Sequence, residues 1–187
     1  MTEPPYYAEL GHAIPSGLSE EMEMKVKTCV RSALIALGVN QGSVNMDILI
    51  GEDGGIHIVD VGARMGGNLI GSHIISLGIG VDYMGNMIKA AVGDKTDFSL
   101  YNTPIPVATK LLALTPGIVE GLPDFNKISN DYNVIIEHHL AVGDEINEYH
   151  TNLDGCGYVI VSERDVESSL KKADEVKAII DHSIIRK

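Results

Sequence analysis

Between Val44 and Asn68 the chain reads VNMDILIGEDGGIHIVDVGARMGGN, which places two aspartates, an arginine and a glycine pair where one hairpin can gather them. Two apolar-rich runs, 44–50 and 56–61, flank Glu52-Asp53-Gly54-Gly55. Asp-Gly between such runs predicts a two-residue type I′ turn. Centring that turn on Asp53 and Gly54 pairs Ile50 with His57, Ile48 with Val59 and Met46 with Val61 on a face suited to burial. The other face pairs Leu49 with Ile58, Asp47 with Asp60 and Asn45 with Gly62. Aspartates directly opposite each other stand roughly 5 Å apart at Cβ and repel. The pairing is tolerable if the side chains splay into water, if one carboxylate is protonated, or if a divalent cation sits between them. Magnesium suits the last case, since it takes one or two protein carboxylates and fills its shell with waters and phosphate oxygens.

Directly behind the second strand, Gly62 to Asn68 is too glycine-rich to continue as a strand and must turn. Gly66 and Gly67 allow backbone amides to approach an anion, and Arg64 offers a fixed positive fork for phosphate or carboxylate oxygens. Taken singly, each feature has an ordinary explanation as a solvated carboxylate, a surface ion-pair partner or a turn. Their conjunction within one short stretch is a set of parts for handling phosphoryl groups.

The elements needed to hold this stretch are legible on both sides. A short strand around Tyr6 to Leu10 opens the chain, followed by a Pro- and Gly-punctuated loop containing His12. The abrupt start of that strand points to a sheet with further strands upstream. Ser19 is placed to cap a helix whose apolar set is Met22, Val26, Cys29, Val30, Ala33, Leu34 and Leu37, stopped by Gly38. That helix is expected to cover the apolar face of the hairpin. Beyond Asn68, which is positioned as a cap, Leu69–Leu77 reads as one short helix ending at Gly78, and Asp82 to Val92 as another ending at Gly93. The first would direct its N-terminal amides toward the place served by Arg64.

Lys95–Pro106 is a polar connector, so residues 1–98 and 104–187 are expected to form separate lobes. The second has apolar runs at 107–114, 134–140, 146–149 and 158–161, read as an antiparallel sheet of about four strands. A closing helix starts at Asp165 or Ser168 and passes through Leu170, Ala173, Val176, Ile179 and Ile180. His138 and His139, adjacent on a strand, point to opposite faces and cannot share a metal without distortion.

Composition narrows the class further. The 187 residues are 44% hydrophobic and 21% charged, the range of a globular protein large enough to bury a core. A formal net charge of −12 argues against a nucleic-acid or anionic-membrane surface. Cys29 and Cys156, the two cysteines, suit neither a zinc site nor a disulfide framework. With no run of transmembrane length and no basic, apolar leader at the N-terminus, a cytoplasmic protein with free thiols is the default expectation. Neither a Walker-type phosphate loop nor a G-x-G-x-x-G is present.

The sequence acidic residue, hairpin turn, acidic residue, then G-A-R-x-G-G resembles the magnesium and phosphate end of the ATP-grasp ligases. The likeness is closest to the L-amino acid ligase branch, which shares its fold with biotin carboxylase and the large chain of carbamoyl-phosphate synthase. The resemblance implies an α+β fold: the C-terminal part of an ATP-grasp domain, an antiparallel sheet with helices, followed by a small antiparallel-sheet lobe. It further implies that Asp47 and Asp60 hold the Mg2+ of bound ATP, with Mn2+ as a substitute, and that Arg64 stabilises an acyl-phosphate and the tetrahedral intermediate that follows. His12, with Pro15 in the same loop signature, falls to the substrate pocket, as do Gly66, Gly67 and Asn68. Relatives usually carry glutamate at both acidic positions, and many carry asparagine where this chain has Gly62, which implies a weaker hold on metal here.

The likeness is strong over residues 6–93 and loose after 104, and it reaches only the back half of such enzymes. The lobe bearing phosphate-binding lysines and the adenine hinge is not identifiable. The expectation is therefore a C-terminal fragment of an ADP-forming carboxylate–amine ligase acting on an amino acid or other small carboxylate, inactive alone, completed by an N-terminal lobe in cis or in trans, with a homo-oligomer compatible. The alternative is a non-catalytic binding module that kept the fold.

Overall fold

A computed structural model describes residues 1–187, which divide into two compact units. One is Ser16–Pro104, and the other joins Met1–Pro15 to Ile105–Lys187. The first strand, β1 (Gly11–Ile14), therefore belongs with the C-terminal residues and not with the hairpin. It also starts later than the Tyr6–Leu10 run suggested. Gly11 sits at φ +152, and a Cβ there would lie 2.0 Å from the Thr109 carbonyl oxygen, so glycine is the residue that lets this strand begin against its neighbour.

In the unit 16–104, α1 (Glu20–Ala36) starts from Ser19, whose hydroxyl accepts from the Met22 N–H, with Glu20, Glu21 and Glu23 in the first turn. Its expected apolar stripe is half-buried from Met22 to Leu34, whereas Leu37 is exposed, and no residue of the helix is fully buried. Strands β2 (Asn45–Ile50) and β3 (Ile56–Gly62) form an antiparallel two-stranded sheet.

The tip of this hairpin differs from the two-residue turn that Asp53-Gly54 suggested. The Gly54 N–H donates to the Gly51 carbonyl (2.9 Å), the Gly51 N–H donates to the Gly55 carbonyl (2.8 Å), and Gly54 is left-handed at φ +77. This is a three-residue loop with glycine in the left-handed position. The Asp53 carboxylate fixes it by accepting the Gly55 N–H. Next to the tip the pairs are Ile50 with Ile56, Leu49 with His57 and Ile48 with Ile58, one residue off the expected register. A bulge then leaves Val59 over, and Asp47 with Asp60, Met46 with Val61 and Asn45 with Gly62 pair as the sequence indicated.

Beyond β3 a single π-helical stretch, Ile70–Ile74, runs into α2 (Ile75–Ile79), which ends at Gly80 (φ +77) and not at Gly78. Helix α3 (Tyr83–Val92) is capped by the Asp82 carboxylate on Gly85 N–H and closed by Gly93, as expected. Asn86, fully buried in α3, exchanges hydrogen bonds with the Asp97 backbone and so ties the segment after the helix back onto it.

In the other unit, β4 (Val107–Leu111), β5 (Gly117–Gly121), α4 (Phe125–Tyr132), β6 (Ile135–His138), β7 (Glu145–Ile146), β8 (Gly157–Val161), α5 (Val166–Ser183) and β9 (Ile185–Arg186) follow in order. Four strands make an antiparallel sheet in the order β1-β4-β8-β6, and a smaller sheet runs β7-β5-β9. Buried positions Ser169, Ala173, Val176 and Ile180 recur at helical spacing on α5, and the last three share an apolar core with Val119, Val159 and Val161. Strand β5, helix α4 and strand β9 were not visible in the periodicity, being short and bounded by Gly117, Pro123 and Asn133. No helix is long and apolar enough to cross a membrane.

Candidate functional site

The hairpin of unit 16–104 brings Asp47 and Asp60 face to face, as paired residues on adjacent antiparallel strands. Both are exposed, and neither is ion-paired to a lysine, arginine or histidine. No lysine, arginine or histidine therefore stands within ion-pair distance to offset their repulsion. The side-chain amide of Asn45 donates to Asp47 Oδ1 at 3.1 Å. Asn45 lies two residues before Asp47 and so on the same face of β2, opposite Gly62.

Arg64 returns to the same end of the hairpin. Its backbone N–H donates to the Gly62 carbonyl at 2.8 Å, a three-residue turn that reverses the chain at Ala63. The side chain then lies over Gly62: a Cβ built there would sit 3.6 Å from Arg64 Nε and 3.8 Å from Cζ. One Nη donates to the Met65 carbonyl (2.7 Å), which leaves the other guanidinium N–H groups for an incoming anion. Asp47, Asp60 and Arg64 thus come from one short element and its exit turn.

The glycine pair is unequal. A Cβ on Gly66 would meet Asn45 Oδ1 at 2.9 Å and Ile70 at 3.0 Å, so this position has no room for a side chain. Gly67 has open space around it, and its carbonyl accepts the Ile70 N–H that starts the π-helical stretch. Asn68 does not cap a helix, contrary to expectation. It is left-handed (φ +49), and so is Leu69 (φ +64), which occupies the cap position without a side-chain hydrogen bond. Two consecutive non-glycine residues in that region are costly, and such backbone tends to occur at functional sites.

His12 belongs to the other unit, on β1, where its N–H donates to Thr109 Oγ1 at 3.1 Å. Its Nε2 is buried with no hydrogen-bond partner, the Glu9 carboxylate standing 3.6 Å away. His138 and His139 do not form a metal site: His138 stacks on Phe125 with ring centroids 3.8 Å apart, and the His139 N–H donates to the Cys156 carbonyl. No group of three or more His, Cys, Asp or Glu side chains is gathered to hold a metal anywhere in the chain. Sequence reasoning passed over Asn45, although its register partner Gly62 and its place on the aspartate face were already legible.

No protein-family model matches the chain. One curated relative, the uncharacterized protein y4rH of Sinorhizobium fredii (strain NBRC 101917 / NGR234), is 24% identical over 174 residues, covering 92% of this chain and 35% of that protein. Among solved structures, phosphoribosylglycinamide synthetase from Anaerococcus prevotii superposes with a TM-score of 0.82 at 22% identity, over 96% of this chain and 46% of that one. L-amino acid ligase from Bacillus licheniformis gives 0.80 at 20% identity, over 100% and 48%. The biotin carboxylase domain of the 2-oxoglutarate carboxylase from Hydrogenobacter thermophilus, solved with magnesium ADP and bicarbonate, gives 0.64 at 17%, over 96% and 39%. The chain spans about half the length of the first two structures and about a third of the curated relative. Its α+β architecture is that of the C-terminal part of the ATP-grasp ligase fold.

Proposed function

We propose that this chain is the magnesium and acyl-phosphate part of an ADP-forming carboxylate–amine ligase, acting on an amino acid or other small carboxylate. The observation that carries the reading is the cross-strand pair Asp47 and Asp60, two exposed carboxylates with no protein counter-ion, beside Arg64 folded over Gly62.

The donor set fits a hard divalent ion. Two carboxylates and no third acidic or imidazole group suit magnesium, which leaves most of its shell to waters and phosphate oxygens, better than they suit zinc. Asp47 and Asp60 would hold the ion, which supplies neutralisation of phosphate charge. The chain's own contribution is then positioning and electrostatics. In such a reaction a substrate carboxylate oxygen attacks the terminal phosphorus and ADP leaves. An amine then adds to the acyl carbon and inorganic phosphate departs. The Arg64 N–H groups face the phosphoryl and acyl oxygens, on which charge accumulates in both steps, and the Gly66 and Gly67 amides assist. A further lobe, in cis or in trans, would supply the groups that grip the nucleotide.

The test is a manganese titration of the 187-residue chain and of its Asp60→Asn variant, with and without ADP, followed by electron paramagnetic resonance. Site-specific binding that strengthens with ADP and disappears in the variant is expected. Equal binding by both proteins, or no binding even with ADP, would remove the metal reading.

A further inference from the structure

We infer that Asn45 is a positioning residue for the cation site, fixing the Asp47 carboxylate and linking it to the Gly66 turn; this rests on the metal reading above.

Asn45 is an unusual choice for its place. Asparagine is depleted in strands, and here it occupies the first residue of β2 on the face shared with both aspartates. Its two polar ends have different neighbours. Nδ2 donates to Asp47 Oδ1 at 3.1 Å, and Oδ1 stands where a Cβ on Gly66 would come within 2.9 Å. Across the ladder its partner Gly62 carries no side chain, and the space above Gly62 is taken by the Arg64 guanidinium.

The physical consequence concerns the free rotation of a carboxylate. Asp47 faces Asp60, and repulsion favours rotamers that turn the two apart. A charge-assisted N–H on one oxygen opposes that rotation and leaves Asp47 Oδ2 available to a cation. A neutral amide does this without supplying the positive charge with which a lysine would compete for the metal's place. The absence of a side chain at Gly66 keeps Asn45 where it is, so the anion-facing turn and the cation-facing strand are set by one residue.

Manganese affinity in the full chain, read by electron paramagnetic resonance, tests this with Asn45→Leu, Asn45→Ser, Gly66→Ala, the double variant Asn45→Leu/Gly66→Ala and Asp60→Asn. Outer-shell partners of metal ligands commonly change affinity by tenfold or more, so Asn45→Leu should weaken binding about tenfold. Asn45→Ser, which keeps a donor, should recover part of the loss. Gly66→Ala should weaken binding by displacing Asn45, and the double variant should be no weaker than Asn45→Leu alone, because both changes act through one contact. If Asp60→Asn abolishes binding while Asn45→Leu binds as the native chain does, the proposal is overturned and the metal reading stands. If the native chain binds no manganese with ADP, both fall. Should Asn45→Leu fail to fold, undiminished affinity in Gly66→Ala overturns the proposal.

Discussion

Asp47 and Asp60, paired across a ladder with no salt-bridge partner, repel each other and so oppose folding of the metal-free chain. Neutralising either one should therefore stabilise the metal-free chain even as it removes the proposed function. Asp47→Asn and Asp60→Asn are each expected to raise stability by up to about 1 kcal/mol in the absence of divalent ions. The gain should shrink at high salt, which screens exposed charges, and Mg2+ with ADP should stabilise the native chain alone. Thermal melts of the three proteins check this, and a loss of stability in both variants would show that the carboxylates serve the hairpin itself. The pair was legible in the sequence because register is set by pattern as well as by the turn. The turn assignment that led to it was nevertheless wrong by one residue, and the bulge at Val59 brings the strands back into the expected register before the aspartates. Nothing in residue types or spacing encodes that bulge, because Val59 fits an unbulged strand equally well. Arg64 lying over Gly62 and Asn45 beside Gly66 were also beyond the sequence, since each depends on which way the chain leaves β3.

Helices and long strands were the most readable elements, because their signals are local and repeated. Ser19, Asp82 and Asp165 cap α1, α3 and α5 with side-chain acceptors for the N–H of the third residue along; Ser19 and Asp82 were legible, whereas the sequence left Asp165 and Ser168 both open for α5. Short elements were lost, and β1 moved, because their boundaries are decided by a neighbour: Gly11 is required by the Thr109 carbonyl, not by anything in its own segment. The α5 cap carries a pH prediction. The Ser168 backbone N–H, then its hydroxyl, with Arg164 alongside, holds the Asp165 carboxyl below its ordinary 3.8. A carboxyl lowered on folding binds protons more readily in the unfolded chain. Its stabilisation is complete above that ordinary value and is lost as pH falls through the folded one. Asp165→Asn keeps a capping oxygen and removes the titration. The native chain should exceed this variant in melting temperature near pH 7, and the gap should narrow at about pH 3. A gap that does not change with pH would mean the cap works without its charge.

At the scale of the molecule, the two units bury very different amounts. Of the apolar side chains that are buried, Ile74 and Val81 alone belong to unit 16–104, while the other unit holds a continuous core with Leu112, Val119, Val159, Val161, Val176 and Ile180 at its centre. A two-stranded hairpin is marginal without a covering layer, and here Leu49 and Val59 are each about 60% exposed on it. Local opening costs least where few apolar contacts are lost. Hydrogen exchange should therefore be graded by unit. Amides of β4, β8 and the middle of α5 should exchange slowest, at the rate of global unfolding, and those of β2 and β3 should exchange faster by a large factor. Fragment-resolved hydrogen–deuterium exchange by mass spectrometry reads both in one experiment. Magnesium with ADP should slow exchange in the hairpin, since a ligand that bridges Asp47 and Asp60 closes that ladder. Hairpin amides as slow as those of β8 in the unliganded chain would show that its stability comes from something other than buried apolar area.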